Sequence, residues 1–285
     1  MKFFGLYSTH HDVLCNMTIE KTLAAFLCIF SVFHLPIYAQ SIDFEQVLDK
    51  APLDLKADFL STSNGQSQFI DLDRDGDDDV FISNGANFYE NDGAGNFHQV
   101  ELQGVNRLFV GSVAFADFNN DGLLDIVQSG IDTNNTRLTE VYRADSNYHF
   151  SRMDSNDFAG LALSFIATTD IDGDLDVDFI IVGQDTNSIG RSRVYINQGN
   201  FNFSLSTQFV PPDVFEGSLN FIDIDADNDQ DLLFTGNNKG SRITKFYKND
   251  GLGDFTEDTS IVLDKCMQGE HIFLMPTMIT TWIWS

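Results

Sequence analysis

The chain has 285 residues, room for one large domain or two of average size, and its 43 acidic residues against 16 basic ones give a formal net charge of −27. A surface of that sign repels nucleic acid and anionic lipid and excludes them as partners. Apolar residues make up 42% and aromatics 13%, with 27 Phe among them, so a packed core is available and β layers are favoured over helices. Charge-driven disorder is excluded as well, because the acids recur at ordered spacing between apolar runs.

Residues 1–39 read as a Sec-type signal peptide, with Met17 as an alternative start. Lys21 precedes the apolar run LAAFLCIFSVFHLPIYA, which ends at Ala39-Gln40 with a small residue at the cut. The run is short for a membrane span and lacks flanking anchors, so the mature chain is expected to carry no span and to be secreted or held at the cell surface. After cleavage Cys266 is the one cysteine left, and no disulfide framework holds the fold. Residues 40–65 are expected to supply an N-terminal strand or cap.

From residue 66 to 264 the sequence repeats. FIDLDRDGDDDVFI, FADFNNDGLLDIVQ, TTDIDGDLDVDFII and FIDIDADNDQDLLF begin at residues 69, 115, 168 and 221, and their first aspartates are 46, 53 and 53 residues apart. A second signature follows each: FYENDGAGNF from Phe88, VYRADSNYHF from Val141, VYINQGNFNF from Val194 and FYKNDGLGDF from Phe246. Their NDG and QGN cores between aromatic residues predict tight hairpins. No 3.6-residue apolar period runs through the body. The expected fold is all-β: a propeller-like array of four-stranded blades, four of them legible, forming an incomplete ring. The variable stretches SGIDTNNTRLTE and GQDTNSIGRSR are expected as rim loops.

Each repeat opens on an acidic loop. Loop 1 has Asp71, Asp73, Asp75 and Asp79 at positions one, three, five and nine, with Gly76 at six. Loop 2 has Asp117, Asn119, Asp121 and Asp125 with Gly122; loop 3 has Asp170, Asp172, Asp174 and Asp178 with Leu175; loop 4 has Asp223, Asp225, Asp227 and Asp231 with Asn228. Alternate residues of a tight loop point to one centre, and oxygen ligands in a flexible loop suit Ca²⁺ better than Mg²⁺. Four calcium sites are expected, one per loop. Position six needs a left-handed residue, so Leu175 should leave the Asp170 loop the weakest or reshaped. EF-hands are excluded, because position twelve is Ile82, Gln128, Ile181 or Phe234 and never Glu. The four nine-residue loops hold 19 of the 43 acids, a density that favours an ion over plain solvated turns.

The D-x-D-x-D-G-x-x-D loops paired with Y-x-N-D-G-x-G-x-F hairpins resemble the FG-GAP/VCBS-type repeats of integrin-α-like β-propellers, over roughly residues 60–260. The resemblance implies a calcium-binding extracellular propeller, usually of seven blades, associated with adhesion or with glycan or protein binding. The expected role is therefore a secreted binding module, truncated here, with an extracellular protein or glycan as partner. The alternatives are the propeller domain of a polysaccharide lyase or hydrolase, or a calcium-stiffened spacer. Catalysis stays open: His98 and His149 read as surface or packing residues, and no nucleophile elbow, phosphate loop or zinc spacing is present.

After Asp264 the pattern gives way to KCMQGEHIFLMPTMITTWIWS. Pairing the third base of each codon with the first two of the next lets synonymous codons spell YAGGAYFFDADNDNDLDLV from Cys266 onward. Met267-Gln268 and Met275-Pro276 each force Ala, and Met278-Ile279 and Trp282-Ile283 each force Asp. The shifted string contains DADNDNDLD, a fifth loop whose first Asp falls about one repeat period after Asp223. Residues 265–285 thus read as a frameshifted fifth blade.

Overall fold

A computed structural model describes residues 67–83, 87–154 and 157–261. The signal segment, the 40–65 cap region and the aberrant tail lie outside the described residues. Among the described residues, sixteen strands form four antiparallel four-stranded sheets, each taken consecutively from the chain. Blade 1 is β1 Ser67–Ile70, β2 Asp79–Ile82, β3 Asn87–Asn91 and β4 Phe97–Val100. Blade 2 is β5 Phe109–Ala116, β6 Asp125–Ile131, β7 Arg137–Ser146 and β8 His149–Arg152. Blade 3 is β9 Ala162–Thr169, β10 Asp178–Gln184, β11 Gly190–Asn197 and β12 Phe203–Leu205. Blade 4 is β13 Leu219–Ile222, β14 Asp231–Asn238, β15 Ser241–Asn249 and β16 Phe255–Glu257. The all-β, four-blade expectation is borne out. Among the described residues there is no helix, and none is long and apolar enough to cross a membrane.

Burial explains the strand order. The second strands β2, β6, β10 and β14 begin with runs buried on both faces and read as nearly unbroken apolar stretches, and β6 and β10 lie between the sheets of neighbouring blades. The fourth strands lie at the outer edge and stay short and amphipathic. Three hydrophobic clusters fill the joints. Leu72, Phe81, Phe115 and Tyr142 join blades 1 and 2; Phe118, Val141, Phe179 and Phe203 join 2 and 3; Ile171, Val194, Phe234 and Tyr247 join 3 and 4. Among the described residues no cluster joins blades 4 and 1, and the array is open rather than closed.

Antiparallel order also sorts the turns into two ends. The acidic loops between first and second strands share one end with the hairpins between third and fourth strands. The turns Asp132–Thr136 and Asp185–Ile189 and the blade-to-blade connections share the other.

The loops plug the joints as well as capping them. Phe118, second residue of loop 2, is fully buried and meets Phe203 edge-on at 5.5 Å. Phe118→Ala should lower unfolding free energy by about 3–5 kcal/mol in denaturant titration. Leu205→Ala, at a 53% exposed site, should cost less than about 0.5 kcal/mol. Equal losses at the two sites would contradict a packed joint.

Candidate metal centres

The four loops share one hydrogen-bond pattern. The first aspartate of each accepts the backbone N–H of position six: Gly76 to Asp71 at 3.1 Å, Gly122 to Asp117 at 2.7 Å, Leu175 to Asp170 at 3.0 Å and Asn228 to Asp223 at 3.1 Å. The fifth accepts the N–H of position seven: Asp77 to Asp75, Leu123 to Asp121, Asp176 to Asp174 and Asp229 to Asp227, at 2.8–3.0 Å. Two residues per loop take positive φ, at positions four and six: Arg74 and Gly76, Asn120 and Gly122, Gly173 and Leu175, Ala226 and Asn228.

Loop 3 is therefore not reshaped. Its glycine sits at position four instead of six, and Leu175 holds φ 73° with its side chain 79% exposed. The cost is confined to a Cβ in a left-handed residue, roughly 1–2 kcal/mol. Gly173 serves a second purpose, since a Cβ there would come within 2.8 Å of the Gly251 carbonyl of the blade 4 hairpin.

In loops 1, 3 and 4 the carboxylates at positions one, three and five each bring an oxygen within 4.8 Å of the others. These are Asp71, Asp73 and Asp75; Asp170, Asp172 and Asp174; and Asp223, Asp225 and Asp227. Two unit charges about 4 Å apart repel by about 4 kcal/mol at an effective dielectric of 20, so each group favours a cation between its members. Two oxygens make the same point: Asp71 Oδ1 and Asp172 Oδ1 are shut off from solvent without a hydrogen-bond partner. Burial, then the charges of Asp174 and Asp170, raises the Asp172 carboxyl above its usual range. The donor set is all hard oxygen, which fits a divalent alkaline-earth ion. Loop 2 differs, because Asn119 replaces a carboxylate and donates from Nδ2 to Asp121 at 2.8 Å. In loop 4 the Lys248 ammonium lies 3.1 Å from Asp225 and, through that hydrogen bond, lowers the Asp225 carboxyl.

The position-nine aspartates have work that the sequence did not reveal. Asp79, Asp125, Asp178 and Asp231 are fully buried. One oxygen accepts the N–H of loop position two: Leu72 at 3.2 Å, Phe118 at 2.9 Å, Ile171 at 2.8 Å and Ile224 at 3.2 Å. The other accepts an N–H from the third strand: Asn91, Ala144, Asn197 and Asn249, at 2.7–2.9 Å. They clamp loop to strand and stand outside the three-carboxylate groups. Burial pushes Asp79 up to about 6 and Asp125 and Asp178 up to about 7, against the lowering effect of the two amides.

Loops 1 to 3 are also fastened to the following blade, a feature sequence reasoning missed. Asn197 in blade 3 donates from Nδ2 to the Phe118 carbonyl of loop 2 at 2.8 Å, and Asn249 in blade 4 donates to the Ile171 carbonyl of loop 3 at 2.9 Å. Blade 2 has Ala144 at that position, and there Tyr148 donates its hydroxyl to Asp73 of loop 1 at 2.9 Å. The signal was present in the Asn that precedes DG or QG in three of the four hairpins, read above as turn chemistry alone.

The FG-GAP-like repeat family matches residues 71–127 and 170–234. The chain carries FG-GAP-type repeats. Both matches open on an acidic loop, at Asp71 and at Asp170, and each runs into or through the second strand of a blade. No curated protein matches the chain. Among solved structures, the FG-GAP-type array is similar to an Agrocybe aegerita lectin described as specifically recognising non-reducing terminal N-acetylglucosamine. That likeness has a TM-score of 0.51 at 16% identity and covers 73% of this chain and 54% of the lectin chain. The chain thus spans about half the length of that lectin, and the likeness concerns the fold.

Leu175→Gly removes the Cβ from a left-handed residue and should stabilise the protein by about 1 kcal/mol in denaturant titration. A destabilised variant would mean that Leu175 contributes packing which its exposure does not show.

Proposed function

We propose that this chain is a secreted, calcium-loaded β-propeller module that binds an extracellular glycan. The calcium reading is supported chiefly by the convergent carboxylates of loops 1, 3 and 4 with their unpartnered oxygens on Asp71 and Asp172. Asp71, Asp73 and Asp75, and their counterparts in loops 3 and 4, would hold the ion. When bound, it would supply charge neutralisation that lets the acidic end stay folded. Secretion is supported by the signal-like run at residues 23–39.

The glycan reading is supported by the likeness to a lectin fold and by the division of labour between the two ends. One end is taken up by the acidic loops. At the other, between β3, β4 and the connection to β5, lies a groove of about 270 Å³. Its lining is mainly polar: Asn87, Gln99, Glu101 and Arg107 supply donors and acceptors beside Val100, Leu102 and Val105. Convergent polar groups beside a small apolar patch suit a sugar ring, which has one C–H face and a rim of hydroxyls.

Two measurements test the two halves separately. In millimolar calcium the melting temperature should rise by several degrees over a chelator control, and Asp71→Asn with Asp172→Asn should shrink that rise. An unchanged melt with and without calcium would sink the ion reading. On a glycan array that includes N-acetylglucosamine-terminated sugars, retention should fall at least about tenfold in Arg107→Ala, the loss of one good polar contact. Retention of no glycan by the calcium-loaded protein would remove the glycan reading.

A further inference from the structure

Position three is where the four acidic loops part company. In loop 1 Asp73 accepts the Tyr148 hydroxyl at 2.9 Å. In loop 2 the residue is Asn119, whose amide donates to Asp121 at 2.8 Å. In loop 3 Asp172 Oδ1 is shut off from solvent and has no hydrogen-bond partner. In loop 4 Asp225 accepts the Lys248 ammonium at 3.1 Å, and Asp258 lies 3.9 Å from the same nitrogen. Among the described residues no other carboxylate at positions one, three or five carries an ion pair.

The fold delivers this lysine. It stands on β15 immediately before Asn249, whose N–H is held by Asp231, so the clamp that fixes the strand also fixes the lysine's root beside the loop. The same place is Glu90 in blade 1, Arg143 in blade 2 and Ile196 in blade 3. Arg143 turns to Asp145 of its own strand at 2.6 Å, and Ile196 is buried in the joint with blade 4. Charge then sorts the loops. Three carboxylates converge without an ion pair in loops 1 and 3, while Lys248 offsets one of the three in loop 4. The ion affinity of an oxygen-lined loop follows its ligand charge count and rigidity. An ion entering loop 4 must also take Asp225 from Lys248.

We infer that Lys248 is a tethered counter-ion that competes with the metal in loop 4, so that loop 3 takes a divalent cation more tightly than loop 4. This order reverses the one expected from Leu175. That residue holds its left-handed φ while its N–H bonds Asp170, so its strain is met by folding rather than by the ion. The ranking rests on the ion reading of the loops, and the tether does not.

The test follows two amides by NMR while calcium is titrated into the full chain. Leu175 and Asn228 each donate their N–H to the first aspartate of their own loop, so each reports that loop's midpoint. Leu175 should respond at a calcium concentration at least about tenfold lower than Asn228. Lys248→Met should bring the Asn228 midpoint down by at least about tenfold and leave that of Leu175 in place, while Lys248→Arg should keep the Asn228 midpoint high. In chelator, Lys248→Met should melt about 1–2 °C below the parent chain, as expected for loss of a surface ion pair, and Lys248→Arg should restore the melt. Equal midpoints in the parent chain, or an Asn228 midpoint unmoved by Lys248→Met, would overturn the proposal. A chain in which neither amide responds would overturn the ion reading and the ranking with it. A melt that Lys248→Met leaves unchanged in chelator would overturn the tether.

Discussion

A buried carboxylate at the foot of each acidic loop is the contact on which the rest of the structure depends. Asp79, Asp125, Asp178 and Asp231 sit at the first residue of the second strand, and each spends both oxygens on backbone amides. One amide belongs to the loop and the other to the third strand, so a single side chain fixes three pieces of a blade. A carboxylate removed from water is costly unless its charge is met, and two amides meet it only partly, which is why burial prevails and the carboxyls of these residues are raised.

The clamp has a consequence at the joints. By holding the N–H of position two, it aims that residue's side chain away from the carboxylates of positions one, three and five and into the interface with the next blade. Leu72, Phe118 and Ile171 are therefore core residues planted in the middle of the most hydrophilic segments of the chain. The carbonyls of Phe118 and Ile171 then accept the asparagines that fasten the following blade. Acidic loop, clamp and joint are one mechanical unit. The carboxylates at positions one, three and five are thereby coupled to the cohesion of neighbouring sheets rather than to a local turn.

Much of this was legible. The period, the strand–loop–strand order and the hairpins follow from carboxylate spacing and from glycine placement, both of which are short-range signals. The four buried second strands were recognisable as apolar runs because a strand buried on both faces loses its alternation. Three things were not legible. At position nine the carboxylate was legible but its clamp was not, because its burial depends on a strand that arrives 12 to 19 residues later. Leu175 looked like a defect, because attention fell on position six while the compensating glycine stands at position four. The Asn197 and Asn249 fasteners act across 79 and 78 residues, a distance that no local pattern encodes.

Amide hydrogen exchange at Asn91, Asn197 and Asn249 tests the central claim most directly, because these N–H groups are bonded to the clamp carboxylates of blades 1, 3 and 4. If the loops, clamps and joints are one unit that a divalent ion completes, all three amides should be protected in calcium, and chelation should lower their protection together. Protection that is unchanged by chelation, or lost at one amide alone, would contradict the account.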